Sequence, residues 1–250
     1  MSTDTSLDWQ IATVTSVHDE SPRVKSFRFD LPKENYLSAG QYFDVRLTAP
    51  DGYQTRRSYS ITSSPESRKS IELAIELIAG GEVSSYFHEV VQPGDKIEVQ
   101  GPIGGYFTWD PSQTEPILLI AGGTGIAPLV SMLRHRQSSP TKAPTVLMVS
   151  ARTEPDLLFR KELQLMEEED LNFDSIVTLT RKMPKNWLIE NVRENRRIDL
   201  KMIETAINRL GESPSSAYVC GGTGFVESIG NHLLEIGMAY TDILTERFGP

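Results

Sequence analysis

Four short motifs hold the side chains and backbone that could do chemistry. Arg57-Ser58-Tyr59-Ser60 puts a guanidinium, an aromatic ring and two hydroxyls within four residues. That set offers a cation for phosphate, a flat surface for stacking and a hydrogen-bonding group for a ring heteroatom. The turns Gly122-Gly123-Thr124-Gly125 and Gly221-Gly222-Thr223-Gly224 each follow an apolar run and open an amphipathic stretch. Glycine lets the backbone approach a pyrophosphate closely, and a helix N-terminus behind it supplies amide donors and a positive dipole end. Cys220, just before the second turn, is small and polarisable and leaves room for a flat nicotinamide ring beside the glycines. Gly81-x-Val83-Ser84-Ser85 adds amides and hydroxyls at a candidate helix start, suited to a second phosphate region. Taken singly, each has an ordinary structural explanation, a tight strand-to-helix turn or a buried packing cysteine.

The elements that must position these motifs change character along the chain. Segments 11–17, 24–29, 42–47, 71–77 and 96–99 are rich in β-branched and aromatic residues and partly alternate, with turn clusters such as Pro93-Gly94-Asp95 between them. Strands at that spacing with little helix between them predict a small antiparallel β-barrel. From 117 onward, apolar runs at 117–121, 146–149, 176–179 and 217–220 alternate with helical patterns. These patterns place Ile126, Leu129, Val130 and Leu133, then Phe159, Leu163 and Met166, then Phe225, Ile229 and Leu233, each on one face. That alternation predicts βαβ units around a parallel sheet. The expected organisation is an antiparallel barrel domain over 1–112 and an α/β parallel-sheet nucleotide-binding domain over 113–250.

Composition narrows the functions. A net charge of −9 spread over 250 residues repels a polyphosphate backbone, so nucleic acid is not an expected partner. Arg134/Arg136 or Arg193/Arg196/Arg197/Lys201 could form a local basic patch for an acidic protein, although such runs are ordinarily a solvated helix face. The one cysteine excludes an intrachain disulfide and a cysteine-ligated iron-sulfur cluster within one chain. The four histidines lack metal-ligand spacing, and no metal site is expected. The polar Met1–Gln10 segment and the short apolar runs lead to the expectation of a soluble, cytoplasmic protein without membrane association.

In order and in type, these motifs resemble those of the ferredoxin-NADP(H) reductase family of FAD-dependent enzymes. They are RSYS at 57–60, GEVSS at 81–85, GGTGIAP at 122–128, CGG at 220–222 and the near-terminal Glu246-Arg247-Phe248. The resemblance implies that Arg57 binds the flavin phosphates, Tyr59 packs on the isoalloxazine and Ser60 hydrogen-bonds near N5, with Ser58 between them. It implies flavin contacts from Ile75 and Glu76, the latter standing where a basic residue is common. Gly81, Val83, Ser84 and Ser85 would hold the pyrophosphate. Gly123, Thr124 and Gly125, with Cys220, Gly221 and Gly222, would hold the pyridine nucleotide. Ser60, Cys220 and Glu246 would converge on the reacting rings, and Phe248 would cover the flavin where nicotinamide enters.

NADPH is expected over NADH because Arg152 and Arg181 follow strand runs, where a guanidinium suits a 2′-phosphate; Glu154 and Asp156 lie nearby and would suit a bare ribose. The expectation is therefore an FAD enzyme passing electrons from NADPH to a separate acceptor, a [2Fe-2S] ferredoxin or an oxygenase component. A reductase using free flavin as substrate and a noncatalytic electron-transfer subunit are the alternatives.

Overall fold

Alternation of buried and exposed residues builds the first sheet. In the computed structural model, which describes residues 8–181 and 196–249, the strands are β1 (Gln10–Ser21), β2 (Val24–Asp30), β3 (Tyr42–Thr48), β4 (Gln54–Ser60), β5 (Ser70–Glu76) and β6 (Lys96–Ile103). They pair antiparallel in the order β4-β3-β6-β1-β2-β5, and a bridge between Ile61 and Leu73 brings the two edge strands together, curling the sheet into a barrel. Phe27, Phe29, Phe43, Val45, Leu73 and Ile75 fill its interior. Each such side chain contributes about 1.5–3 kcal/mol on burial. Helix α1 (Glu82–Glu89) closes one end. Its Phe87 ring sits edge-on to Phe27 at 5.0 Å and lies 6.4 Å from Tyr59, which packs α1 beside the end of β4.

The second sheet is parallel, in the order β11-β10-β7-β8-β9, with β7 (Ile117–Gly122), β8 (Thr145–Ala151), β9 (Phe173–Leu179), β10 (Ser216–Gly222) and β11 (Ile243–Phe248). Covered on both faces, β7 reads as a continuous apolar run. Ile117, Leu119 and Ala121 pack under α2 (Ile126–Ser138) and α3 (Arg160–Glu169) on the barrel side. Leu118 and Ile120 pack under α4 (Leu200–Leu210) and α5 (Thr223–Glu235) on the other. The result is the two-domain architecture expected from the change in pattern, an antiparallel barrel beside an α/β parallel sheet.

Three elements were not read from the sequence. β4, QTRRSYS, lacks apolar alternation and is a strand because β3 pairs with it from Thr48/Gln54 to Tyr42/Ser60. β11 forms because β10 offers a parallel edge, matching Cys220 to Glu246 and Gly222 to Phe248. α4 is capped by Asp199, whose carboxylate accepts from Met202 N, and it buries Met202, Ile203 and Ala206.

Arg134 and Arg136 are neither a docking patch nor a solvated face. Arg136 is 1% exposed and donates to Asp170 Oδ2 at 2.5 Å and to the Ala143 and Asn172 carbonyls. Arg134 is bound to carboxylates on two other elements. Of the second set, Arg196 pairs with Asp199, and Arg193 lies outside the described residues.

Candidate active site

The end of β4, the start of α1 and the carboxyl ends of β7, β8, β10 and β11 converge on one cleft of about 1120 Å³ between the sheets. The carboxyl edge of a parallel sheet is where open α/β folds bind ligands. The volume exceeds the ~300–1,000 Å³ usual for a small-molecule site.

On the barrel side, Arg57 and Ser58 are exposed, Tyr59 is half-buried and Ser60 is buried, and all four line the cleft. Ser58 Oγ donates to Asp44 Oδ1 at 2.5 Å. The Tyr59 hydroxyl is pushed up to about 12 by burial, so it stays a neutral ring and donor. Gly81, Val83 and Ser84 also line the cleft. The Ser84 hydroxyl is committed internally, accepting from Ile78 N and donating to Gly81 O, so it shapes the turn before α1. Ser85 lies one residue further along α1 and does not line the cleft, and Ile75 points into the barrel core. Glu76 faces the cleft between Arg23, 3.1 Å away, and Thr124, whose hydroxyl donates to it at 3.2 Å.

On the sheet side, the two glycine turns are packed against each other. A Cβ on Gly125 would sit 2.2 Å from the Cys220 carbonyl oxygen, so only glycine permits this approach. Hydrogen-to-methyl changes at Gly122 or Gly221 would meet the Phe225 ring at 2.9 and 2.8 Å. Phe225, expected only as part of a helix core face, is a half-exposed wall of the cleft. The sequence signal for this was its place three residues after Gly222, in the first turn of α5. Gly123, Thr124 and Gly222 line the cleft, whereas Gly125, Gly221 and the fully buried Cys220 lie behind it. Burial, reinforced by the nearby Glu246, pushes the Cys220 thiol well up, so it remains protonated.

Glu246 on β11 joins the two halves. Ser60 Oγ donates to its Oε1 at 3.4 Å across 186 residues of sequence, and its Oε2 is buried without a hydrogen-bond partner. Burial pushes this carboxyl up to about 7, and Ser60 offsets only part of the effect. A buried acceptor without a partner, beside a hydroxyl and an aromatic ring, is a group placed to meet a ligand donor. Tyr42, whose hydroxyl is held up by burial and then by Asp44 and Glu246, borders the same space, as does Phe248.

Arg152, at the end of β8, lines the cleft, is exposed and makes no ion pair among the described residues. The two acids beside it each have a partner, although Asp156 also lines the cleft. Glu154 pairs with Arg160, and Asp156 accepts from Thr153 N and Oγ in a capping box. Arg181 is exposed outside the cleft lining, its amide bound to the Arg152 carbonyl. Among the described residues, no three His, Cys, Asp or Glu side chains cluster to hold a metal, and no helix is long and apolar enough to cross a membrane.

Comparison with known proteins agrees with the two-domain fold. Residues 11–108 match the oxidoreductase FAD-binding domain model, and residues 119–230 match the oxidoreductase NAD-binding domain model. Over 178 residues the chain is 34% identical to ferredoxin–NADP reductase B of Sorangium cellulosum, covering 70% of this chain and 71% of that one. It belongs to the ferredoxin–NADP(H) reductase family of flavin-dependent oxidoreductases. The phenol hydroxylase P5 protein of Acinetobacter pittii is 30% identical over 244 residues, 96% of this chain; the chain spans 65% of that protein's length. The fold superposes on the Amycolatopsis cytochrome P450 reductase GcoB with a TM-score of 0.83 at 23% identity, over 98% of this chain and 71% of that one.

Membership in this family gives the cleft two occupants to accommodate, FAD and a pyridine nucleotide, and the residues fit both. The exposed Arg57 and the start of α1 offer positive ends to a diphosphate on the barrel side. The close-packed glycine turns do so on the sheet side.

Proposed function

We propose that this reductase takes electrons from NADPH and delivers them through FAD to a separate acceptor protein, a [2Fe-2S] ferredoxin or an oxygenase component. The observation that carries this reading is the Ser60–Glu246 contact, which joins the flavin-type motif to the nicotinamide-type strand pair inside one cleft. A flavin bound there would supply the capacity to accept two electrons as hydride and to release them singly.

The chain's own task is orientation. Arg57 grips phosphate, and the amides at the start of α1, after Gly81, hold the second phosphate while Ser84 fixes their turn. Tyr59 offers its ring face, and Ser60 its hydroxyl. On the other side, Gly123, Thr124 and Gly222 admit the nucleotide backbone, and Phe225 walls the ring space. Cys220 acts from behind, its buried side chain setting the β10 position that pairs with Glu246. Glu246, near neutrality in its proton affinity, offers either a donor or an acceptor to the nicotinamide amide. Phe248 keeps water from the reacting faces until nucleotide enters.

The NADPH preference rests on Arg152, a cleft-facing cation just past β8 whose acidic neighbours each already have a partner. The choice of a ferredoxin or an oxygenase component draws on the relatives' names.

Two measurements test the reading. Flavin released by heating and resolved on a column should be FAD, one per chain, and stopped-flow mixing should show faster reduction with NADPH than with NADH. A colourless protein that turns over only with added flavin would replace this reading with a flavin reductase. A yellow protein that neither nucleotide reduces would leave a noncatalytic subunit.

A further inference from the structure

One face of β5 and one stripe of α2 meet at the edge of the cleft, which Ala74, Glu76, Thr124 and Ala127 line, and continue away from it to Glu72 and Arg134. Strand alternation sends Ile71, Leu73 and Ile75 into the barrel core and leaves Glu72, Ala74 and Glu76 on the opposite face. Ala74 is buried in the hydrophobic cluster of the second sheet, so this face of a barrel strand packs against the other domain. From the glycine turn along α2, Thr124, Ala127, Ser131 and Arg134 follow one another at spacings of three, four and three, which places them in one row.

The rows are bound at both ends. Thr124 Oγ donates to Glu76 Oε2 at 3.2 Å. Ten residues on, Arg134 Nη1 donates to Glu72 Oε1 at 2.6 Å and to Thr62 O at 2.9 Å. Between these ends, Ser131 Oγ donates to Ser63 O at 2.8 Å, and Ser63 Oγ in turn accepts from Glu72 N. The lengths agree. Four residues of strand span about 13 Å and ten of helix about 15 Å, so both contacts form with the strand antiparallel to the helix. Arg134 also donates through Nε and Nη2 to Glu162 on α3, at 2.7 and 2.8 Å, which ties a second helix to the same point. Glu72 is further held by Thr62 Oγ and Arg28.

From this we infer that the α2 row and the Glu72-Ala74-Glu76 face form a two-ended clamp fixing the barrel against the parallel sheet. Arg134 and Glu72 are then positioning residues for hydride transfer at rings they do not touch. The inference rests on the proposed reaction, in which one reactant is held by the barrel and the other by the glycine turns. Their separation is then set by the angle between the sheets, and α2 starts at the first glycine turn, so a tilt of α2 moves that turn directly. A half-buried, forked arginine suits this task better than apolar packing alone, because its contacts are directional and only partly screened.

The test uses the flavin-loaded protein with nitroxides at Tyr36→Cys on the barrel and Leu171→Cys on the sheet, both highly exposed, while Cys220 is buried. Pulsed dipolar spectroscopy should give a narrow distance distribution in the parent and a broad or displaced one in Arg134→Met/Glu72→Gln. That double substitution leaves neither clamp residue buried as an unpaired charge, so folding is retained. In the same variant without labels, flavin reduction at saturating NADPH should slow by about 10²-fold, the effect of a ~1 Å misplacement, with little change in KM. Reoxidation of dithionite-reduced flavin by ferricyanide should be unchanged. Arg134→Lys, which keeps the Glu72 contact without the fork, should recover part of the rate. An unmoved distance distribution overturns the inference, and so does a broadened one with a parental rate of flavin reduction. Failure of NADPH to reduce the parent flavin would instead count against the proposed reaction, and the distance measurement would still decide whether the clamp exists.

Discussion

Glu246→Gln removes one buried ionisation and keeps the side chain's shape. Burial holds the Glu246 carboxyl at about 7 in the folded protein, against an ordinary 4.5. At about 1.4 kcal/mol per pKa unit this corresponds to about 3 kcal/mol, which solvent around the half-covered side chain trims to about 2–3 kcal/mol. The sign follows from proton binding. Because the folded state holds this proton more tightly than the unfolded chain, the favourable contribution is complete below pH 4.5 and is lost as pH rises through 7. Urea unfolding of the parent and of Glu246→Gln, measured at intervals from pH 4 to 8, isolates this group, because every other titration is common to both proteins. The parent should lose about 2–3 kcal/mol relative to the variant across that range, so that the variant is the more stable protein at the alkaline end. Parallel stability curves would show that Glu246 titrates as an ordinary exposed carboxylate, and the reasoning from its buried, partnerless Oε2 would fall with it.

Arg152→Ala should raise the Michaelis constant for NADPH by roughly 10- to 100-fold, the loss of one charge-assisted hydrogen bond, and leave NADH kinetics unchanged; equal losses with both nucleotides would remove Arg152 from the 2′-phosphate. Gly125→Ala forces a methyl to within 2.2 Å of the Cys220 carbonyl, and separating the two glycine turns should cost about 1–3 kcal/mol, read as a lower Tm with weaker NADPH binding. An unchanged Tm would mean that the turns are not close-packed. Arg136→Met leaves Asp170, 5% exposed, with the Asn172 amide at 3.0 Å and Lys142 at 3.6 Å in place of its close guanidinium, and should cost about 3–5 kcal/mol in thermal unfolding with FAD content intact; a loss below about 1 kcal/mol would refute that pairing.

The barrel and the parallel sheet were legible because their strands obey local rules, alternation in one and buried runs punctuated by glycine in the other. What stayed hidden depends on partners distant in sequence. β4 and β11 are polar at the positions that matter, and neighbouring strands impose their extended form. Arg134 and Arg136 look like a charged helix face until Glu72 and Asp170 arrive from 62 and 34 residues away. The motif residues were named from sequence, but their depth was not. Nothing local indicates that Cys220 and Gly125 lie behind the cleft, since that ordering comes from the packing of one glycine turn on the other; Phe225 differs, its place just after Gly222 being a local signal that it borders the cleft.

That packing has a consequence for anyone who handles the protein. The lone thiol lies at 0% exposure under the point where the Gly125 turn presses on the Cys220–Gly221 peptide. An alkylating reagent reaches it only when that turn lifts or the sheet opens. Cys220 is thus a built-in clock, whose rate of modification times the local opening of the cleft floor. A nucleotide seated on the turns would slow the clock.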